Sequence, residues 1–205
     1  VIGHAASRLT KGSVCVVGTN GKPTVTNLLA NVLEGCGYCV CCNRTGANLD
    51  SGVASALLSL KQADWGVFEC DELWLAKIAP KLQPHYIVLL NLFRDQLDRC
   101  GEIDYVQERI ASALKNSPNS VLVYNADDPL CQAVANMVDN PRYAFGIEQD
   151  MCVVQNTVAD GQMCQSCSTI LEYDYRQYGQ LGSYRCPQCD FQRGELQATI
   201  RSIIM

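Results

Sequence analysis

The stretch Val14-Cys15-Val16-Val17-Gly18-Thr19-Asn20-Gly21-Lys22-Pro23-Thr24-Val25-Thr26-Asn27-Leu28-Leu29 decides the fold. It opens as an apolar strand, and Val25, Leu28, Leu29, Val32 and Leu33 then repeat at helical spacing as far as Gly35. Between strand and helix lies a loop with two glycines and a lysine. Glycine lets backbone approach an anion, a helix start presents unpaired N–H groups, and lysine adds a point charge, so the unit reads as a phosphate cradle. Pro23 departs from that reading. The position after the lysine normally holds Ser or Thr, whose hydroxyl binds magnesium and whose N–H joins the cradle. Proline fits the first helical turn, so the loop shape is kept and the hydroxyl is lost, unless Thr24 or water substitutes. The plain alternative is a strand, turn and helix with no ligand.

Outward from this unit the chain alternates. Strands are expected at 38–42, 65–69, 85–90, 121–124 and 142–145, with helices at about 51–61, 73–79, 105–115 and 129–138 between them. Such alternation builds an α/β fold with a doubly wound, mostly parallel sheet, and ligands of these sheets bind beyond the carboxyl ends of the strands. The polar motifs at 18–24, 69–72, 91–98 and 125–128 all follow strands, so they are expected to converge on one cleft. Segment 1–11 is too short to form a domain, and the chain begins without methionine, as an excised piece would.

With 205 residues, 48% of them hydrophobic, the chain can bury one substantial core and carry a small appendage. A net charge of -5 without any basic run argues against a nucleic-acid surface. No stretch approaches the roughly 18–20 apolar residues that span a bilayer, and the first residues do not resemble a secretory signal. A cytoplasmic protein without a transmembrane segment is expected.

Thirteen cysteines divide into two groups. Cys164-Gln165-Ser166-Cys167 and Cys186-Pro187-Gln188-Cys189 are two C-x-x-C knuckles at the spacing that lets four thiolates surround one zinc ion, with hairpin strands expected at 171–175 and 182–185 between them. A zinc closed by four thiolates is structural, because no coordination position stays open for chemistry. The other cysteines, such as Cys15, Cys39, Cys41, Cys42 and Cys70, fall in apolar runs and read as small hydrophobes. Composition changes near Asp150, which divides the chain into a nucleotide-binding domain at 1–150, a zinc ribbon at 151–193, and a returning strand or the start of a missing segment at 194–205.

Gly18-Thr19-Asn20-Gly21-Lys22, Asn91-Leu92-Phe93-Arg94-Asp95-Gln96-Leu97-Asp98-Arg99, Asn125-Ala126-Asp127-Asp128-Pro129 and the ribbon, in that order, resemble the Mur ligase family. The phosphate loop and the N-x-D-D-P pattern are shared with folylpolyglutamate synthases, whereas residues 91–99 and the ribbon look like the MurT-type branch. The likeness covers nearly the whole chain. It implies the synthetase subunit of a lipid II isoglutaminyl synthase, an ATP-dependent carbon–nitrogen ligase partnered by a GatD-type glutaminase. In that reaction ATP activates the α-carboxylate of D-glutamate in the stem peptide of lipid II as an acyl phosphate, and ammonia from glutamine converts it to the amide. Such a subunit is expected in the cytoplasm, at the inner face of the membrane with its lipid-linked substrate.

The resemblance also implies roles. Gly18, Thr19, Asn20, Gly21, Lys22 and Thr24 would hold the ATP phosphates, Lys22 nearest the transferred one, and Glu69 would bind magnesium. Asn91, Arg94, Asp95, Gln96 and Asp98 would form the polar loop around metal and acyl phosphate, Asn91 with the nucleotide and Asp95 with Lys22 and Glu69 as catalytic groups. The family usually has histidine where Gln96 stands. Asn125 and Asp128 would lie near the adenosine, although 127–129 also reads as a simple turn. Arg44, Thr45 and Asn48 face the substrate or stabilise their loop. Asp71 and Glu72 read as solvated helix-start residues, and His4 and His85 as structural or exposed. Pro23 supports a second reading, a catalytically impaired nucleotide-binding or scaffold relative. The family's C-terminal domain lies outside these residues, so the piece alone is not expected to complete the reaction. The ribbon counts against a folylpolyglutamate synthase or another Mur ligase.

Overall fold

The computed structural model describes residues 1–43, 47–59, 61–93, 103–152 and 162–201. Helix α1 (Ile2–Ala6) leads into β1 (Leu9–Val17), α2 (Lys22–Gly35), β2 (Val40–Cys42), α3 (Asp50–Ser59), β3 (Ala63–Glu69), α4 (Leu75–Leu82) and β4 (Tyr86–Leu89). After them come α5 (Ile103–Lys115), β5 (Val121–Asn125), α6 (Pro129–Asn136), β6 (Arg142–Ile147), β7 (Glu172–Tyr178), β8 (Leu181–Arg185) and β9 (Ala198–Ile200). Seven strands form one sheet in the order β2-β3-β1-β4-β5-β6-β9, every pairing parallel, and β7 and β8 form a separate antiparallel hairpin.

Handedness sets the layers. Right-handed crossovers that advance towards β6 put their helices on one face, and only the step from β1 to β2 runs the other way. Cys15, Val17, Phe68, Ile87, Leu89, Leu122 and Tyr124 therefore share a core with α1, α3, α4, α5 and α6. Val14 and Val16 pack instead with Leu90, Val25, Leu29, Trp65, Val88 and Phe145 on the side of α2.

That asymmetry corrects one expectation. The apolar repeat in α2 predicts a buried stripe, yet Leu28 and Val32 are exposed, and the buried positions are Lys22, Thr26 and Ala30. Leu29, Val32 and Leu33 border an open apolar depression floored by Val14, Val88 and Val123, because α2 is the only described helix on that face. The helix expected at 73–79 starts later. Asp71 Oδ1 accepts the N–H groups of Leu73 and Trp74 in a preceding turn, and Pro80 removes one backbone donor without ending the helix.

Segment 1–11 belongs to the main core, into which it buries Ile2 and Ala5. Cys15, Cys41, Cys70 and Cys131 are buried as expected of small apolar residues, and burial raises the Cys41 thiol to about 11. Cys36, Cys39 and Cys152 are exposed, so the apolar reading does not hold for Cys39, and Cys100 lies outside the described residues.

Candidate nucleotide site and cysteine ribbon

β1 lies between β3 and β4, and the chain leaves it for β2 on the far side of β3, so the sheet's switch point opens at the carboxyl ends of β1 and β4. The loop after β1 needs its glycines. Gly18 has φ 140° and Gly21 φ 83°, and a Cβ on Gly18 would stand 3.0 Å from the Asn91 carbonyl oxygen. Asn91 joins the two loops: its carbonyl accepts the Thr19 N–H at 2.9 Å, its Oδ1 accepts the Asn20 N–H at 2.9 Å, and its Nδ2 donates to the Asn20 carbonyl at 3.0 Å. The Phe93 N–H donates to Thr19 Oγ1 at 2.9 Å. Gly21 is the N-cap of α2, and Pro23 and Thr24 follow in its first turn, both exposed.

Lys22 is 7% exposed and its ammonium is fully engaged. It donates to the carbonyls of Gly18 and, at 3.4 Å, Thr19, and it pairs with Glu72 Oε1 at 2.8 Å. Glu72, expected as a solvated helix-start residue, is 4% exposed, because the turn at Asp71 directs it towards the cradle. Glu69, also buried, ends β3 beside Val16 of β1. Asn43 fixes that end, accepting the Glu69 N–H and donating to its carbonyl, both at 2.9 Å, and Asn48 Nδ2 donates to Glu69 Oε1 at 3.4 Å. A buried lysine, two buried carboxylates and a glycine loop at a helix start are what phosphate and a divalent cation need. The hydroxyl ligand is the one part that does not fit, since Pro23 cannot supply it. Arg44, Thr45, Arg94, Asp95, Gln96 and Asp98 lie outside the described residues.

The loop after β5 is tied to this site from behind. Asn125 is half-buried and its Oδ1 accepts the Asp127 N–H at 3.1 Å, while Asp128 is fully buried and caps α6 by accepting the Leu130 N–H at 3.0 Å. The other carboxylate oxygen of Asp128 accepts the Leu92 N–H at 2.8 Å, next to Asn91. Burial raises this carboxyl to about 6.

The four ribbon cysteines converge. Their Sγ atoms lie within 4.8 Å of one another, with Cys164 to Cys189 at 3.5 Å and Cys167 to Cys186 at 3.4 Å. Thiolates around one tetrahedral zinc stand about 3.8 Å apart, given bonds of about 2.3 Å. The N–H groups of Ser166 and Gln188 point at Cys164 Sγ and Cys186 Sγ, each at 3.4 Å, as donors to metal-bound sulfur do. The donor set therefore fits zinc.

The ribbon is docked on the loop after β5. Leu171, Tyr184 and Phe191 pack with Cys164 and Cys186 against Ala133 of α6. Tyr184 donates to the Ala126 carbonyl at 3.1 Å, the Gly182 N–H to the Asp127 carbonyl at 3.0 Å, and Arg193 pairs with Asp127 at 3.0 Å. Gln180, at the hairpin turn and fully buried, donates to the Leu92 carbonyl at 2.9 Å and to Asp128 Oδ1 at 3.5 Å. The sequence marks Glu72 only as a solvated helix-start residue and gives no sign of the roles of Asn43, Gln180 and Arg193. The charges of Arg193 and Asp127 match, but 66 positions separate them and nothing in the local sequence joins them.

The Mur ligase middle domain family matches residues 16–180. The chain is 32% identical over 197 residues to the MurT subunit of lipid II isoglutaminyl synthase of Streptococcus pneumoniae, covering 93% of this chain and 44% of that protein. It is 34% identical over 192 residues to the MurT subunit of Staphylococcus aureus strain COL, covering 92% of this chain and 43% of that one. Among solved structures, a pseudomurein peptide ligase type C from Methanothermus fervidus superposes with a TM-score of 0.77 at 25% identity, over 96% of this chain and 39% of the ligase. The chain thus spans less than half the length of these relatives. Among the described residues no helix is long and apolar enough to cross a membrane. With its parallel sheet, glycine loop and match over most of its length, the chain belongs to the Mur ligase middle-domain family.

Proposed function

We propose that this chain is the nucleotide-binding part of a MurT-type ligase subunit that acts in peptidoglycan synthesis. The observation that carries the reading is Lys22, buried beneath a left-handed glycine loop at the switch point of the sheet and paired there with the buried Glu72. Gly18, Thr19, Asn20, Gly21 and Lys22 would receive the phosphates of ATP, Thr24 and Asn91 bordering them. Glu69 would take the magnesium ion, and Asn125 and Asp128 would define the adenosine end. Asp95, on the polar loop after β4, would complete the catalytic set with Lys22 and Glu69.

In this reading the substrate is the α-carboxylate of D-glutamate in lipid II. Its oxygen attacks the γ-phosphorus and ADP leaves; ammonia from a GatD-type glutaminase then attacks the acyl carbon and phosphate leaves. The chain's own contribution is to hold the polyphosphate, with Lys22 offsetting the charge that develops on it. In this reading residues 1–150 are the nucleotide domain, 151–193 a zinc ribbon that stiffens it, and 194–205 a returning strand or the start of a further segment. The setting is the cytoplasm, at the inner membrane face where lipid-linked substrate is presented. Pro23 favours a second reading, a nucleotide-binding scaffold of the same family without turnover.

Calorimetric titration with a non-hydrolysable ATP analogue separates the two. The 205-residue chain is expected to bind the analogue more tightly with magnesium than without. Pro23→Thr, which restores one hydroxyl and one N–H, is expected to tighten magnesium-dependent binding about fivefold, the worth of roughly 1 kcal/mol for one net hydrogen bond or ligand contact. Binding in Pro23→Thr alone would leave the scaffold reading.

A further inference from the structure

Lys22 holds three acceptors with its three donors: the Gly18 and Thr19 carbonyls of its own loop and the Glu72 carboxylate. The two carbonyls belong to the loop that carries Lys22 itself, so these bonds move with the cradle. Glu72 belongs to a different segment, between β3 and α4, and is the only ionised partner among the described residues. A phosphate oxygen that reaches Lys22 therefore takes the place of Glu72. That exchange leaves a buried carboxylate facing a polyanion, which is strongly unfavourable unless a cation arrives with the nucleotide.

Resting on the nucleotide reading above, we propose that Glu72 is a specificity-determining residue that makes the cradle select the magnesium–nucleotide complex over free nucleotide. With Lys22 at +1 and Glu69 and Glu72 at −1 each, the described cradle has a net charge of −1 and repels an uncomplexed triphosphate. Magnesium reverses the balance. Pro23 sharpens the need for this device, because no hydroxyl beside Lys22 marks the metal position.

The test measures the affinity of the 205-residue chain for a non-hydrolysable ATP analogue, with magnesium and in resin-treated buffer without it. A soluble chelator is avoided because it would also strip the ribbon. The wild type is expected to prefer the magnesium complex by about tenfold or more, the order of one charge interaction at a partly screened site. Glu72→Gln should gain about tenfold in magnesium-free affinity and change less than about threefold with magnesium, so that the preference collapses towards one. Circular dichroism checks that the variant is folded. Glu72→Asp, which keeps the charge, should keep the preference, and it carries the test if the glutamine variant fails to fold. An unchanged preference in Glu72→Gln, a loss of magnesium-free affinity there, or loss of the preference in a folded Glu72→Asp would overturn the proposal. Wild-type binding with no magnesium preference would also overturn it while leaving the nucleotide reading intact. No wild-type binding in either buffer would remove the nucleotide reading itself, and the proposal with it.

Discussion

Cys186→Ser is expected to leave less than about half an equivalent of zinc per chain where the parent holds close to one, and to lower the thermal midpoint by about 6–20 °C. Four cysteine sulfur atoms within 4.8 Å of one another form the donor set of a structural zinc, since four thiols have little reason to crowd otherwise. The hydrophobic support is thin. Leu171, Tyr184 and Phe191, with the two buried cysteines, are the main apolar contents of the ribbon, too little to order such a segment unaided. Without the metal the hairpin loses its anchor, and with it the hydrogen bonds from Gly182, Tyr184 and Gln180 to the loops after β5 and β4. A loss of about 3–5 kcal/mol is expected from that chain of contacts, and a domain of this size shifts by about 2–4 °C per kcal/mol. Elemental analysis and a thermal scan on the same samples check both parts. A parent with little zinc would contradict the four-thiolate site, and a metal-free variant of unchanged midpoint would contradict its coupling to the main domain.

Features that depend on neighbours in sequence are legible in this chain. The glycine loop, the alternation of strand and helix and the paired knuckles each arise from residues within a few positions of one another. The choice of face for α2 was not legible. Its apolar repeat is real, but α2 is the only described helix on its side of the sheet, so Leu28 and Val32 have nothing described to bury them. Glu72 was missed for a related reason. A carboxylate near a helix start is usually solvated, and only the Asp71 turn, with Lys22 brought in from 50 positions away, makes it a buried partner. Gln180 shows the limit most plainly. A glutamine in a hairpin turn of a ribbon carries no local sign that it will reach the Leu92 carbonyl, 88 positions distant. Contacts of that length exist only after the sheet has closed, so they belong to the fold and not to any window of the sequence.

Asp128→Ala is expected to destabilise the chain by about 2–4 kcal/mol, measured by urea unfolding. The carboxylate caps α6 through the Leu130 N–H and receives the Leu92 N–H and Gln180 Nε2 where no water reaches, so truncation removes the cap and leaves two buried donors unpaired. Asp128→Asn is the sharper variant because it resembles the neutral acid. Burial raises the Asp128 carboxyl to about 6 in the folded protein, above its unfolded value of 3.8. A carboxyl whose folded pKa is raised contributes most below its unfolded pKa, and that contribution is lost as pH rises through the folded one. The difference amounts to about 3 kcal/mol at most, from 1.36 kcal/mol for each pH unit between the two values. The stability of Asp128→Asn relative to the wild type should therefore be lowest near pH 4 and rise by up to about 3 kcal/mol towards pH 7.5. Other titrating groups, Asp127 among them, are common to both proteins and cancel in the difference. A relative stability that instead falls as pH rises would mean that the four donors around Asp128 outweigh its burial, and that the residue is held as a stable anion between the two loops of the site.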